Sequence, residues 1–287
     1  MHYKEYQTIL STKNGLNLFR GCTHGCIYCD SRSNCYHINH VFEDIEVKKH
    51  ALEILERELQ KRRNPCMIST GAMTDPYIQL ESRLKITQGA LRLIDHYGFG
   101  VTIQTKSSRI LRDLELLASI NQKTKAVVQM TLTTYDEGLC QILEPHVSTT
   151  YERFETLLKF KAAGIPTIVW LSPILPFIND SEENLQGILD YCIKADVKGI
   201  LCFGFGVTLR DGNRDYFYQQ LDKHFPGMKK KYHYAFGNSY ICHSPHNERL
   251  MELFIKTCSK HGILWRTEEI FRYLKKFETK QEQLTLF

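Results

Sequence analysis

The chain has 287 residues, 43% hydrophobic and 24% charged, the composition of an ordinary globular protein long enough to bury one sizeable core, which argues against disorder except at the ends. Its formal charge of +5 mildly favours an acidic partner such as nucleic acid but decides nothing alone. The longest apolar stretch, 167–178, is broken by Pro173 and Pro176 and falls well short of the ~20 residues that span a bilayer. With no apolar h-region in the first ten residues, the expectation is no membrane association and a cytoplasmic location.

In chain order, short apolar runs at 16–19, 66–69, 99–104, 126–132, 167–171 and 199–205 read as strands. Amphipathic segments at 47–62, 84–97, 110–120, 151–163, 182–194 and 216–224 read as helices between and after them. Gly98, the 163–166 turn and Gly199 punctuate the alternation. Six strand-helix units predict an α/β fold, a partial (β/α)6 barrel with functional residues at the C-terminal ends of the strands. The expected organisation is a barrel over 1–228, a C-terminal helical extension over 229–277 packed on one side of it, and a polar tail over 278–287. The extension opens on a Lys-, His- and Tyr-rich stretch, 229–246, followed by helices near 247–261 and 267–277.

Ten cysteines in a reducing compartment point to metal or redox chemistry rather than structural disulfides. Cys66, Cys140, Cys192, Cys202 and Cys258 each sit in an apolar or helical pattern and read as small buried hydrophobes. Cys22, Cys26 and Cys29 differ, because C-x3-C-x2-C directly after the first strand wraps three thiolates around one site. Three ligands leave a tetrahedral zinc or a 4Fe-4S cluster one ligand short. Either an exogenous ligand takes the open position, or Cys35, His24 or His37 closes a zinc knuckle.

With Tyr28 before the third cysteine, the run from Gly21 to Cys29 resembles the defining motif of the radical S-adenosylmethionine (SAM) superfamily. The similarity extends to about Phe205 and is specifically to the branch related to spore photoproduct lyase. It is carried by Thr74-Asp75-Pro76-Tyr77 after the second strand, Thr105-Lys106-Ser107 after the third, Thr131-Leu132-Thr133-Thr134 at the fourth, and Ser172-Pro173 at the fifth. The resemblance implies a 4Fe-4S cluster on Cys22, Cys26 and Cys29, with SAM chelated at its open iron and cleaved reductively to a 5'-deoxyadenosyl radical. It implies an electron donor such as flavodoxin or ferredoxin. It places Tyr28 near the adenine, Gly71 and Thr74 at the methionine amino group, Lys106 at its carboxylate, and the Thr131 and Ser172 hydroxyls on the same ligand.

One departure concerns the substrate. Where spore photoproduct lyase carries a hydrogen-donating cysteine, the matching position is Met73, whose thioether has no S–H; Cys35 is the nearest thiol after the cluster. Nucleic acid is the expected substrate class, since the branch includes a DNA-repair enzyme and 229–234 interleaves three lysines with Tyr232, His233 and Tyr234. The alternatives are a radical enzyme acting on protein or a small metabolite, and a non-catalytic iron-sulfur or zinc-binding module. At the end of the tail, Gln283, Leu284, Leu286 and Phe287 resemble the pentapeptide by which bacterial replication and repair proteins bind the sliding clamp.

Overall fold

The computed structural model describes residues 1–280. Six strands pair in parallel and in sequence order: β1 (Gly15–Leu16), β2 (Met67–Thr70), β3 (Gly100–Thr105), β4 (Ala126–Thr131), β5 (Thr167–Trp170) and β6 (Gly199–Leu201). Parallel strands need long crossovers. These are supplied by α1 (Ala51–Gln60), α2 (Ile86–His96), α3 (Leu114–Lys123), α4 (Thr150–Ala162) and α5 (Glu182–Lys194). β1 and β6 do not pair with each other, so the sheet is an open, partial barrel. Every residue of β4 is buried, as expected of a central strand covered on both faces.

Alternation along the strands sorts side chains onto the two faces. Val101, Ile103, Val128, Met130, Val169 and Ile200 join the main core with Leu91, Ile94, Leu117, Leu157 and Leu189 from the crossover helices. The other face carries Val127, Ile168 and Leu201, and there α9 (Thr267–Lys275) packs its buried Ile270 and Leu274. Just before α9, Ile200 N–H donates to the Leu264 carbonyl at 2.8 Å and Leu264 N–H to that of Lys198 at 3.1 Å, which covers the free edge of β6.

Several expected elements move. The run 16–19 splits: Leu16 ends β1, whereas Phe19–Arg20 pairs with Glu46–Lys48 in a separate three-stranded sheet completed by His2–Lys4. The helix expected from residue 47 starts at Ala51, because β-branched Val47 is fully buried in that small sheet and His50 turns left-handed at the helix entrance. The strand expected over 199–205 stops at Leu201, and Gly206–Thr208 forms a hairpin-like pair with Ile241–His243.

The Lys- and Tyr-rich stretch is corrected most. It holds a helix, α7 (Met228–Phe236), lying after α6 (Asn213–His224) and before α8 (Asn247–Lys260). Tyr232 is fully buried, its hydroxyl donating to the Pro176 carbonyl at 3.0 Å, so it offers no face to a base. Lys229 pairs with Asp222 at 2.8 Å and Lys231 sits 4.1 Å from the Phe177 ring centre, while Tyr234 stands out in solvent beside exposed Lys230 and His233. The tail residues Gln283, Leu284, Leu286 and Phe287 lie outside the described residues. Among the described residues no helix is long and apolar enough to cross a membrane.

Candidate active site

The cysteine loop is seated by backbone contacts made on both sides. Gly21 has φ +85°, and a Cβ there would lie 2.4 Å from the Phe42 carbonyl oxygen, the same oxygen that accepts the Cys22 N–H at 3.0 Å. Ile27 N–H donates to the Leu143 carbonyl at 3.0 Å, and the His24 carbonyl accepts from His146 N–H at 3.1 Å. Cys22 and Cys26 are buried and Cys29 half-buried, all three as free thiols. Burial pushes the Cys22 thiol up to about 12 and raises those of Cys26 and Cys29 as well.

Thiols held this way ionise when a cation takes them as ligands. The cradle offers three thiolates from one short loop. It fits a polynuclear iron-sulfur cluster with one coordination position left open.

That position has room beside it. A cavity of about 440 Å³ opens against Cys26 and Cys29 and is walled by Tyr28, Lys106, Trp170 and Ser172. Lys106 is half-buried with its Nζ 5.8 Å from the Tyr28 ring centre. Burial favours its neutral form, but Cys26 as a thiolate and the Glu144 carboxylate outweigh this and raise its pKa. Ser172 accepts a 3.4 Å hydrogen bond from Phe203 N–H, and Phe203 itself is 54% exposed at the cavity.

The other expected residues fall nearby without lining this cavity. Gly71 has φ +100°, and a Cβ there would sit 2.0 Å from the Gln104 carbonyl oxygen, so the residue lets β2 and β3 approach at their ends. Its neighbour Ala72 and Gln104 do line the cavity. Thr74 is buried and, with Met73, lines a separate space of about 210 Å³ beside Arg20 and Lys48. Thr131 Oγ is buried without a hydrogen-bond partner.

Two groups beneath the site were not anticipated. Asp75, in the loop after β2, ties that loop to the end of β3 and lies beside the cysteine loop: Oδ1 accepts from Thr105 Oγ at 2.7 Å and Tyr77 N–H at 2.8 Å, Oδ2 accepts from Lys106 N–H at 2.7 Å and lies 3.5 Å from His24 Nδ1. Its position inside Thr74-Asp75-Pro76-Tyr77 was the signal for it. The second is a buried pair, Glu144 and Arg153. Glu144 accepts from the Tyr28 hydroxyl and from Arg153, and Arg153 donates onward to the Thr131 carbonyl at 2.7 Å and to Cys140 Sγ at 3.1 Å. Cys140 is therefore a member of a polar network, not the isolated hydrophobe its pattern suggests. No local pattern marks this pair, because its members come from the α4 region and Tyr28 from the distant cysteine loop.

The fold has solved counterparts. A spore photoproduct lyase with bound AdoMet and dinucleoside spore photoproduct superposes with a TM-score of 0.61 at 14% identity, covering 86% of this chain and 74% of that one. SuiB of Streptococcus suis, bound to S-adenosylmethionine, gives 0.51 at 14% identity, covering 92% of this chain and 49% of that one. Among sequences, Uncharacterized protein Rv2578c of Mycobacterium tuberculosis is 27% identical over 256 residues, 86% of this chain and 74% of that protein. Uncharacterized protein ORF301 of Acidianus two-tailed virus is 26% identical over 252 residues, 78% of this chain and 81% of that protein. The Radical SAM superfamily model matches residues 16–192, more than half of the chain. With the three-cysteine cradle and its adjoining cavity, that match identifies the chain as a member of the radical SAM superfamily and a radical SAM enzyme.

Proposed function

We propose that this enzyme acts on a base of a nucleic acid, in a lyase-like repair or modification reaction, with a 4Fe-4S cluster on Cys22, Cys26 and Cys29 and SAM in the adjoining cavity. The observation that carries the substrate reading is the aromatic wall of the cavity: exposed Phe203, with Trp170 5.7 Å away between ring centres and anchored by its Nε1–H to Gln129 at 2.7 Å. A planar ring stacks on such a surface for about 1–3 kcal/mol per base. Half-exposed Ile241 lines the same cavity, and Arg210, paired with cavity-lining Asp30 at 3.3 Å, lies 5.0 Å from the ring centre of neighbouring Tyr240.

Bound together, the cluster and SAM supply hydrogen-atom abstraction after one-electron cleavage of a carbon-sulfur bond. The chain's own residues bind and orient. Lys106 pairs with the methionine carboxylate, Ser172 and Thr131 offer hydroxyls, and Gly71 and Thr74 belong to the loop at the amino group. Tyr28, held by Glu144, packs beside the adenine. Trp170 and Phe203 exclude water from the reacting face. Met73 has no S–H and lines a different space from the cysteines, so hydrogen return from that position, as in photoproduct repair, is not part of the proposal.

The tail favours a DNA substrate independently, since Gln283, Leu284, Leu286 and Phe287 resemble the clamp-binding pentapeptide and would deliver the enzyme to replicating DNA in the cytoplasm. A reducing donor of the flavodoxin or ferredoxin type completes the partners. The test is anaerobic: reconstituted enzyme with reductant should cleave SAM to 5'-deoxyadenosine, and DNA should suppress the uncoupled part of that cleavage. Phe203→Ala should raise the DNA concentration needed by roughly 5- to 150-fold, the equivalent of one lost stack. Suppression by peptides or a small metabolite instead of DNA would move the substrate to that second class; absence of any SAM cleavage would leave only an iron-sulfur module.

A further inference from the structure

At the small three-stranded sheet, two imidazoles and two carboxylates converge. His2 stands opposite Glu46 in the parallel register of His2–Lys4 with Glu46–Lys48, and His40 packs beside them, its ring edge-on to that of His2 with centres 4.9 Å apart. One ligand atom from each of His2, His40 and Asp44 lies within 4.8 Å of the other two, a group that does not include Glu46.

The hydrogen bonds fix where the ring protons are. His2 Nδ1 is 2.9 Å from Asp44 Oδ2, and His40 Nδ1 is 2.9 Å from the Val41 carbonyl oxygen. A carboxylate and a carbonyl only accept, so each Nδ1 carries a hydrogen and each neutral ring has its lone pair on Nε2. Both Nε2 atoms face the same oxygen, Glu46 Oε2, at 3.8 Å and 3.9 Å. Those spacings are too long for hydrogen bonds, so in the neutral rings both Nε2 lone pairs face the carboxylate unpaired. His40 Nε2 is buried without a hydrogen-bond partner, and Glu46 is only 3% exposed. Metal-binding histidines use this arrangement, with Nδ1–H donated to a carboxylate or backbone carbonyl and Nε2 presented to the ion.

We propose that this cluster binds a divalent transition-metal ion of the zinc type through His2 Nε2, His40 Nε2 and Glu46 Oε2, with Asp44 orienting His2. Bonds of about 2.0–2.2 Å put tetrahedral ligand atoms roughly 3.4 Å apart, so the Glu46 spacings need to close only slightly. Imidazole nitrogen with one carboxylate selects such an ion over magnesium or calcium. The competing cations are Lys4, whose Nζ is 3.4 Å from Glu46 Oε2 on a side chain 57% exposed, and the Met1 ammonium, 2.7 Å from Asp44 Oδ1. The site stands apart from the radical chemistry. His40 lies against Gly21, and Phe42, two residues on, accepts the Cys22 N–H, so an ion here braces the N-terminal strand against the segment that seats the first cluster cysteine.

The test uses untagged protein with its iron-sulfur cluster loaded, so that the three cysteines are occupied. It is equilibrated with Zn2+, desalted and analysed for metal, and Co2+ is used as a spectroscopic probe. Expected are a single zinc per chain beyond the iron, its loss in both His2→Ala and His40→Ala, and cobalt bands without intense thiolate absorption. Both histidines are partly exposed, and circular dichroism of the variants verifies that they fold. No retained zinc in the unaltered protein overturns the proposal and leaves a proton in the gap. Equal zinc in His40→Ala, or thiolate absorption from cobalt, overturns it by placing the ion elsewhere.

Discussion

Lys106 and Glu144 show how single charges under a loop govern what the loop can bind. A charge-assisted contact to a carboxylate contributes roughly 1.5–3 kcal/mol, so Lys106→Ala should weaken SAM binding about tenfold to a hundredfold while the iron content stays unchanged. Calorimetric titration of the cluster-loaded variant measures it; unchanged affinity would remove Lys106 from the cofactor. Burial would raise the Glu144 carboxyl, yet Arg153 and Lys106 outweigh it and hold the group below its usual 4.5. A depressed carboxylate stabilises the fold above its unfolded pKa and loses that contribution as pH falls through the lower folded value. Glu144→Gln strands the Arg153 charge and should cost about 3–5 kcal/mol near neutral pH. The gap between variant and parent should shrink in urea unfolding below about pH 4. A gap independent of pH would mean that the carboxylate charge is not what stabilises the pair.

Helix α4 matters because its first turn delivers Arg153 to that network. Its start is a capping box: the Thr149 hydroxyl accepts from Glu152 N–H at 3.3 Å, and the Glu152 carboxylate accepts from Thr149 N–H at 2.8 Å. Thr149→Ala should cost about 1 kcal/mol in chemical unfolding. The loss should not change iron binding, since the cysteine loop is also held through Leu143, His146 and Phe42. The Thr-x-x-Glu pattern at 149–152 is visible in the sequence and would have set the helix start at Thr150. Elsewhere the element boundaries shifted for a different reason: Val47 and Phe19 have strand character that only the small three-stranded sheet uses.

Across the whole molecule, the residues after Met228 do not form a core of their own. Leu250, Phe254 and Cys258 join the main barrel core, Tyr232 joins Ile27 and Tyr28 under the cysteine loop, and Ile270 and Leu274 close the second face of the sheet. Lys125, 2% exposed, reaches the same end segment, donating to the carbonyls of Tyr273 at 2.8 Å and Lys276 at 3.2 Å. Ile270→Ala should therefore destabilise the entire barrel by about 2–5 kcal/mol in a single cooperative transition. A separate early transition confined to the C-terminal segment would show that the extension folds by itself.

What the sequence determined alone is what is local or periodic. The strand-helix alternation follows from hydrophobic period, and the cysteine cradle from three thiols on one short loop, which is why both the barrel and the family were legible before any coordinates. The motif likeness pointed to Lys106 and Ser172, just past strand ends, and to Tyr28 in the cysteine loop, and the fold brings all three to one cavity. The tertiary structure alone decided what depends on residues far apart in the chain. Glu144 meets Tyr28, Asp75 meets His24, and His2 meets His40 and Glu46 only after the chain has folded, and no spacing encodes those meetings. The same holds for Tyr232: a tyrosine among lysines reads as a surface patch until packing buries one face of the helix that carries it.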